Sequence, residues 1–208
     1  MKRLGAVLYN DFELLDAYGP LEMFGCLSER VETVVIAEAK GPVKSSGGPQ
    51  TLAEFSFDDA PDLDLILLPG GVGTIPELEN DAMLGFLRER CPASEITMSV
   101  CSGSALLAKA GLLDGLKATS NKMFFSLASS QSDAVDWQEA ARWVDAGRYV
   151  TSSGVSAGTD MALAVIARLY GVEAAESVAR FTEYQWHTDA DDDPFKAYLN
   201  QADAGLPG

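Results

Sequence analysis

Short runs of consecutive apolar residues alternate along the chain with stretches whose apolar positions recur at helical spacing. Leu4 to Tyr9 (LGAVLY), Glu32 to Ala37 (ETVVIA), Asp64 to Leu68 (DLILL) and Glu95 to Val100 (EITMSV) are four such runs. They are short, bounded by turn residues, and apolar on both faces, the pattern of strands in a parallel sheet covered by helices. Helical patterns are predicted over residues 20–27, with Pro20 in the first turn, and over 78–90, ended by Cys91-Pro92. Others are predicted over 104–110, with Gly111 as the cap, over 122–129, 161–170 and 174–181. Val43-Lys44-Ser45, bracketed by Gly41-Pro42 and Gly47-Gly48-Pro49, is predicted to be a small hairpin or an edge element, and a further hairpin is predicted from Trp143 to Val150 about Asp145-Ala146-Gly147-Arg148. Strands alternating with helices predict a doubly wound α/β sheet. No linker or repeat divides the chain, so residues 1–187 are expected to form one domain. Residues 188–208 read as an acidic, loosely packed tail.

Composition narrows the function. In 208 residues the hydrophobic share is 47% and the charged share 22%, which argues for a globular chain over disorder or coiled coil. Fifteen Lys and Arg against thirty-one Asp and Glu leave a formal charge of −16. Nucleic acid and acidic lipid are therefore poor partners, since both are bound through basic side chains. No run approaches the ~18 apolar residues of a membrane span. The start, Met1-Lys2-Arg3-Leu4-Gly5, has no apolar leader core. Cys26, Cys91 and Cys101 cannot all pair and show no C-x-x-C spacing, so a cytoplasmic protein with reduced thiols is expected. With one histidine, the chain offers no convincing zinc set, and no metal or cofactor is expected.

Ligands of open α/β sheets bind beyond the carboxyl ends of the strands. Three predicted strand ends carry unusual residues: Asp16, Gly70-Gly71 and Cys101. Ser99-Val100-Cys101-Ser102-Gly103 has the small-x-nucleophile-x-small pattern of a strained strand-to-helix elbow, where bulk at ±2 would collide. A thiol there sits at a helix N-terminus, which favours thiolate. The competing reading is a buried structural cysteine, the one favoured for Cys26 and Cys91. Gly70 and Gly71 could aim backbone N–H groups at developing negative charge, or simply make a tight turn. Asp16, among Leu14, Leu15 and Ala17, is either a carboxyl of raised pKa able to donate a proton or an N-cap. His187, beside an acidic segment, reads as solvated before it reads as a base. Gly71-Val72-Gly73-Thr74-Ile75-Pro76 fails as a dinucleotide fingerprint, and Asp189, Asp191 and Asp193 fail as a calcium loop, with Pro194 and Asn200 at decisive positions.

Several stretches in order resemble the ThiJ/PfpI superfamily. They are Leu15-Asp16-Ala17-Tyr18-Gly19-Pro20, Leu68-Pro69-Gly70-Gly71, the Cys101 elbow with Leu106 to Gly115, and Val150 to Leu163. The resemblance spans roughly residues 4–180. It implies a flavodoxin-like, mostly parallel sheet sandwiched by helices, related to class I glutamine amidotransferases and assembled as a homodimer. Within the superfamily the L-D-x-x-G-P and G-x-x-A-G-x-D segments are most similar to the isonitrile hydratase branch, which also resembles the sensing domains of AraC-type regulators. That likeness implies a lyase in which Cys101 adds to an isocyanide carbon and Asp16 moves protons, with water yielding an N-formamide. It makes the Gly71 and Ser102 N–H groups candidate anion donors and leaves Ser102 where the hydratases carry threonine. Many members have histidine where this chain has Asn121, so a Cys-His dyad is not implied. The alternatives are a glyoxalase- or deglycase-like enzyme acting on 2-oxoaldehydes and a non-catalytic protein that senses oxidants or a small ligand.

Overall fold

The computed structural model describes residues 1–201. Its strands are Lys2–Val7 (β1), Val31–Ala37 (β2), Gly41–Lys44 (β3), Gln50–Ala53 (β4), Phe55–Ser56 (β5), Leu65–Leu68 (β6), Ile96–Ser99 (β7), Lys117–Ala118 (β8), Asp136–Trp137 (β9), Trp143–Ala146 (β10) and Tyr149–Ser152 (β11). The helices are Leu14–Gly25 (α1), Thr74–Glu77 (α2), Asp81–Ala93 (α3), Gly103–Lys109 (α4), Phe125–Ser129 (α5), Ala157–Tyr170 (α6) and Val172–Phe181 (α7), followed by a 3-10 helix over Pro194–Tyr198.

Seven strands form the main sheet in the order β10-β11-β7-β6-β1-β2-β5. Only β10, hairpinned to β11, runs antiparallel to its neighbour. Every side chain of β6 and β7 is buried, as strands covered on both faces require. Helix α1 packs on α6, and α6 on α7, while α4 packs against α2, α3 and α5. The doubly wound α/β architecture and the β10-β11 hairpin are as the sequence predicts, and of the two readings of the stretch about Val43 the hairpin holds, its second strand β4 lying beyond Pro49. After β1 the chain goes to β2 on one side, and later to β6 on the other. The loops following β1 and β6 therefore diverge at a topological switch point, where this class of sheet leaves a crevice.

Three expectations need correcting. Helix α1 starts at Leu14, six residues before Pro20, so Asp16 lies in its first turn and is not its N-cap; Glu13 takes that position. Pro20 is tolerated inside, forgoing the N–H that would bond the Asp16 carbonyl. The helix expected from Leu78 begins at Asp81, because Asn80 Oδ1 accepts from the N–H groups of Ala82 (3.0 Å) and Met83 (3.4 Å), and it runs through Pro92.

Of the segment expected to be loose, residues 188–201 are tied to the domain at defined points. Asp193 is fully buried, accepts from Phe195 N–H at 2.9 Å to start the 3-10 helix, and faces buried Arg142 at 3.7 Å. Arg142 in turn holds Asp160 through Nε (2.8 Å) and Nη2 (2.6 Å). Asn200 N–H donates to the Lys122 carbonyl at 2.8 Å, and Asn200 Oδ1 accepts from Ser126 N–H at 2.7 Å. Residues 202–208 of the expected tail lie outside the described residues. Among the described residues no helix is long and apolar enough to cross a membrane.

Candidate active site

The elbow is built as the spacing requires. Cys101 has φ +58°, a left-handed conformation that non-glycine residues rarely hold, and sits between β7 and α4. Its backbone is fastened on both sides: its N–H donates to Ser153 O at 3.1 Å, and its carbonyl accepts from Ser120 Oγ at 3.0 Å and Ser104 Oγ at 3.2 Å. Small neighbours are obligatory. A Cβ on Gly103 would run into the Leu68 and Pro69 carbonyls, and one on Gly70 would lie 2.6 Å from Ser102 N and 3.0 Å from Cys101 Cβ.

Asp16 reaches this elbow across the switch point. Its carboxyl has no solvent exposure, and Oδ2 accepts the Gly70 N–H at 2.9 Å. Oδ1 is equally buried and closes no hydrogen bond of full geometry. Burial, the dominant effect, lifts the Asp16 pKa from 3.8 to about 7, against the opposing pull of Gly70 N–H. The Glu13 charge raises it further, while the Cys101 thiol and Val155 N–H lie near enough to lower it somewhat. A buried carboxyl of raised pKa is what Leu14, Leu15 and Ala17 suggested.

For the thiol the outcome is the reverse of the expectation. Cys101 is only 7% exposed, and burial, followed by the charge of Asp16, pushes its pKa well above the ordinary thiol value. Three donors act the other way: Ser102 N–H, the Asn121 amide and the Ser102 hydroxyl. The sequence exposed the helix start but not the depth of the sulfur or the carboxyl beside it. Helix α4, seven residues long, does not outweigh them.

Asn121 cannot act as a base. The structure gives it another position: Nδ2 donates to Cys101 Sγ at 3.2 Å, with the amide oriented by Phe124 N–H, which donates to Oδ1 at 3.1 Å. Nothing in the local sequence marked that contact.

Gly70 and Gly71 do converge on the elbow, but neither holds a free donor. The Gly70 N–H is spent on Asp16, and the Gly71 N–H donates to Ser102 Oγ at 3.1 Å. Ser102 belongs to a hydroxyl chain that sequence reasoning missed. Tyr9 OH donates to the Pro69 carbonyl at 2.7 Å and lies 2.9 Å from Thr74 Oγ1, itself 2.9 Å from Ser102 Oγ. A carbonyl only accepts, so the Tyr9 proton is committed there and the chain runs Ser102 to Thr74 to Tyr9. Ser102 Oγ also lies 3.4 Å from the Gly71 carbonyl, so its hydroxyl has acceptors other than the sulfur. Ser102 N–H remains as the backbone donor near Sγ.

Beside the elbow opens a cleft of about 200 Å³, lined among others by Asn121, Ser153, Gly154 and Val155. The remaining candidates stay apart. His187 is exposed, and its N–H donates to Asp160 Oδ1 at 2.8 Å. Cys91 is buried and its thiol is pushed up to about 12, while Cys26 is partly buried beside helix α7, both consistent with structural roles.

Residues 2–168 match the DJ-1/PfpI family. The chain belongs to that family. It is 34% identical over 182 residues to isonitrile hydratase of Pseudomonas putida, covering 88% of this chain and 78% of that one. It is 28% identical over 187 residues to the HTH-type transcriptional regulator GbdR of Pseudomonas aeruginosa, covering 88% of this chain and 50% of the regulator. A crystal structure of a ThiJ/PfpI family protein from Pseudomonas syringae superposes with TM-score 0.79 at 32% identity, covering 93% of this chain and 76% of that one. The family also contains deglycases. Membership fixes the flavodoxin-like fold and leaves the reaction to be argued from the site.

Proposed function

We propose that this protein hydrates a small electrophile at carbon, with an isocyanide as substrate and an N-formamide as product. The observation that carries the reading is the pairing of an elbow thiol with a buried carboxyl of pKa about 7, at a site where the third residue on sulfur is an amide. Such a pair has one group to move protons, and isocyanide hydration needs no more than one.

With its pKa lifted to about 7, Asp16 can both take up and give up a proton near neutral pH. The carboxylate takes the thiol proton as Sγ attacks the terminal carbon of R–N≡C. Neutral Asp16 then returns that proton to the same carbon, leaving a thioimidate, R–N=CH–S–Cys101. Water adds across the C=N bond, its oxygen to carbon and one proton to nitrogen, with Asp16 carrying the proton. The oxygen loses its remaining proton as the C–S bond breaks, the sulfur leaves as thiol, and R–NH–CHO is released. The sum is one isocyanide and one water to one formamide. Asn121 Nδ2 and Ser102 N–H favour the thiolate in each half.

The raised thiol pKa weighs against an oxidant sensor, whose cysteine needs thiolate character at rest. A deglycase reading lacks a base at position 121. A homodimer is part of the proposal, supported by the exposed Leu15 and Tyr18 on α1. Incubation with p-nitrophenyl isocyanide should yield the formamide, with turnover lost in Cys101→Ala. Equal, negligible turnover by both proteins refutes the substrate class, and lactate formed from methylglyoxal in a Cys101-dependent way would replace it.

A further inference from the structure

The C-terminal segment contributes side chains to the cleft that the sequence assigned to a loose tail. In a 3-10 helix residues three apart lie on one face. Phe195 and Tyr198 are so spaced, and both line the cleft together with Asn121, Met123 and Val155. The segment that carries the rings is anchored, and the rings have free surface. They are about half exposed, at 52% and 49%, while the backbone that carries them is anchored at both ends, through Asp193 to Arg142 and through Asn200 to Lys122 and Ser126. The floor of the same cleft touches the reacting groups: Asn121 bonds Cys101 Sγ, the Ser153 carbonyl bonds Cys101 N–H, and Val155 N–H lies beside the Asp16 carboxyl. Among the described residues that line the cleft the cationic side chain is Lys122, and it commits its ammonium to Thr119 Oγ1 at 2.8 Å and the Ala141 carbonyl at 2.6 Å.

We propose that Phe195 and Tyr198 are specificity-determining residues that select the substituent on the substrate, favouring a flat, neutral ring over a small alkyl group. This rests on the reading of Cys101 and Asp16 given above. An apolar cavity of about 150 Å³ holds benzene. At about 200 Å³ the cleft accommodates one ring with the reactive carbon directed toward Asn121 and the sulfur beneath it.

Two measurements test the wall. In the first, kcat/KM is compared for phenyl and methyl isocyanide in the parent protein and in the Phe195→Ala/Tyr198→Ala variant. The parent should prefer phenyl, and the phenyl-to-methyl ratio should collapse about tenfold in the variant, the order of a lost ring contact in an apolar pocket. An unchanged ratio overturns the proposal, as does a parent without preference. The second needs no hydration: Cys101 is alkylated with N-phenyl iodoacetamide or with iodoacetamide, iodide leaving as the thioether forms, and peptide mass mapping reads the site. The same loss of phenyl preference is expected. If neither isocyanide turns over yet the alkylation preference is present and falls in the variant, the hydration reading fails and the wall stands. If alkylation shows no preference in a folded parent, the wall fails whatever the turnover.

Discussion

Replacing Asp16 with Asn is expected to stabilise the protein in alkaline solution relative to its effect in acid. In the folded chain the Asp16 pKa stands at about 7, against 3.8 for an ordinary aspartate. Between those values the folded state keeps a proton that the unfolded state has lost, so stability falls as pH rises. The contribution of Asp16 is fully present below 3.8 and is lost as pH passes 7. At about 1.4 kcal/mol per pH unit of displacement, the whole effect is about 4 kcal/mol, of which roughly two thirds falls between pH 5 and 8.5. Asn keeps an oxygen to accept the Gly70 N–H. Its amide group, set where Oδ1 now has no partner, carries a penalty that does not change with pH and cancels from the comparison. The assay is urea unfolding of both proteins at about pH 5 and about pH 8.5. The stability of Asp16→Asn relative to the parent should rise by about 3 kcal/mol between the two. Parallel pH dependences would mean that the carboxyl ionises as freely in the folded chain as in the unfolded one, and the acid-base role assigned to it would go.

Two other outcomes follow from the geometry. Asn121→Ala removes one donor from the Cys101 sulfur and should slow alkylation by iodoacetamide about tenfold near neutral pH, with the pH-rate profile moved upward, because a hydrogen bond to a charged group is worth roughly 1.5–3 kcal/mol; an unmoved profile would show that the 3.2 Å contact does not hold in solution. Asp160→Ala strips buried Arg142 of the carboxylate oxygen that accepts from both Nε and Nη2 and should cost about 3–5 kcal/mol in urea unfolding; a cost below about 1 kcal/mol would show the guanidinium finding water instead.

The parts of this fold legible in the sequence were those written in local pattern. Runs such as Leu65 to Leu68 announce strands because burial on both faces leaves no polar position to confuse the reading. The Cys101 elbow was legible because its ±2 neighbours are under a steric rule that acts within five residues. Asp16 stood out by being the wrong chemistry in an apolar run, although Gly19-Pro20 masked the true start of α1. What escaped notice depends on partners far away in the chain. Asn121 meets the sulfur from twenty residues on, and Tyr9, Thr74 and Ser102 make one chain from three separate segments. The acidic stretch from Thr188 resembled solvated tail because its charges are unpaired in sequence, and Asp193 finds Arg142 only in the folded protein.

The sign of the thiol pKa was wrong for a related reason, and that error bears on the chemistry. An exposed cysteine at a helix N-terminus would rest as thiolate and react with any soft electrophile or oxidant that reached it. Here burial keeps the proton on sulfur until a base close by removes it, and the same burial keeps that base near neutrality. In the proposed reaction the two raised values work together: the thiol keeps its proton until Asp16 takes it as sulfur attacks, and Asp16 then holds the proton that the substrate carbon requires. A histidine in place of Asn121 would offer the sulfur a second place to leave its proton, further from that carbon. An amide there gives the sulfur a hydrogen bond and no such exit, and in the proposed reaction this leaves the proton to Asp16.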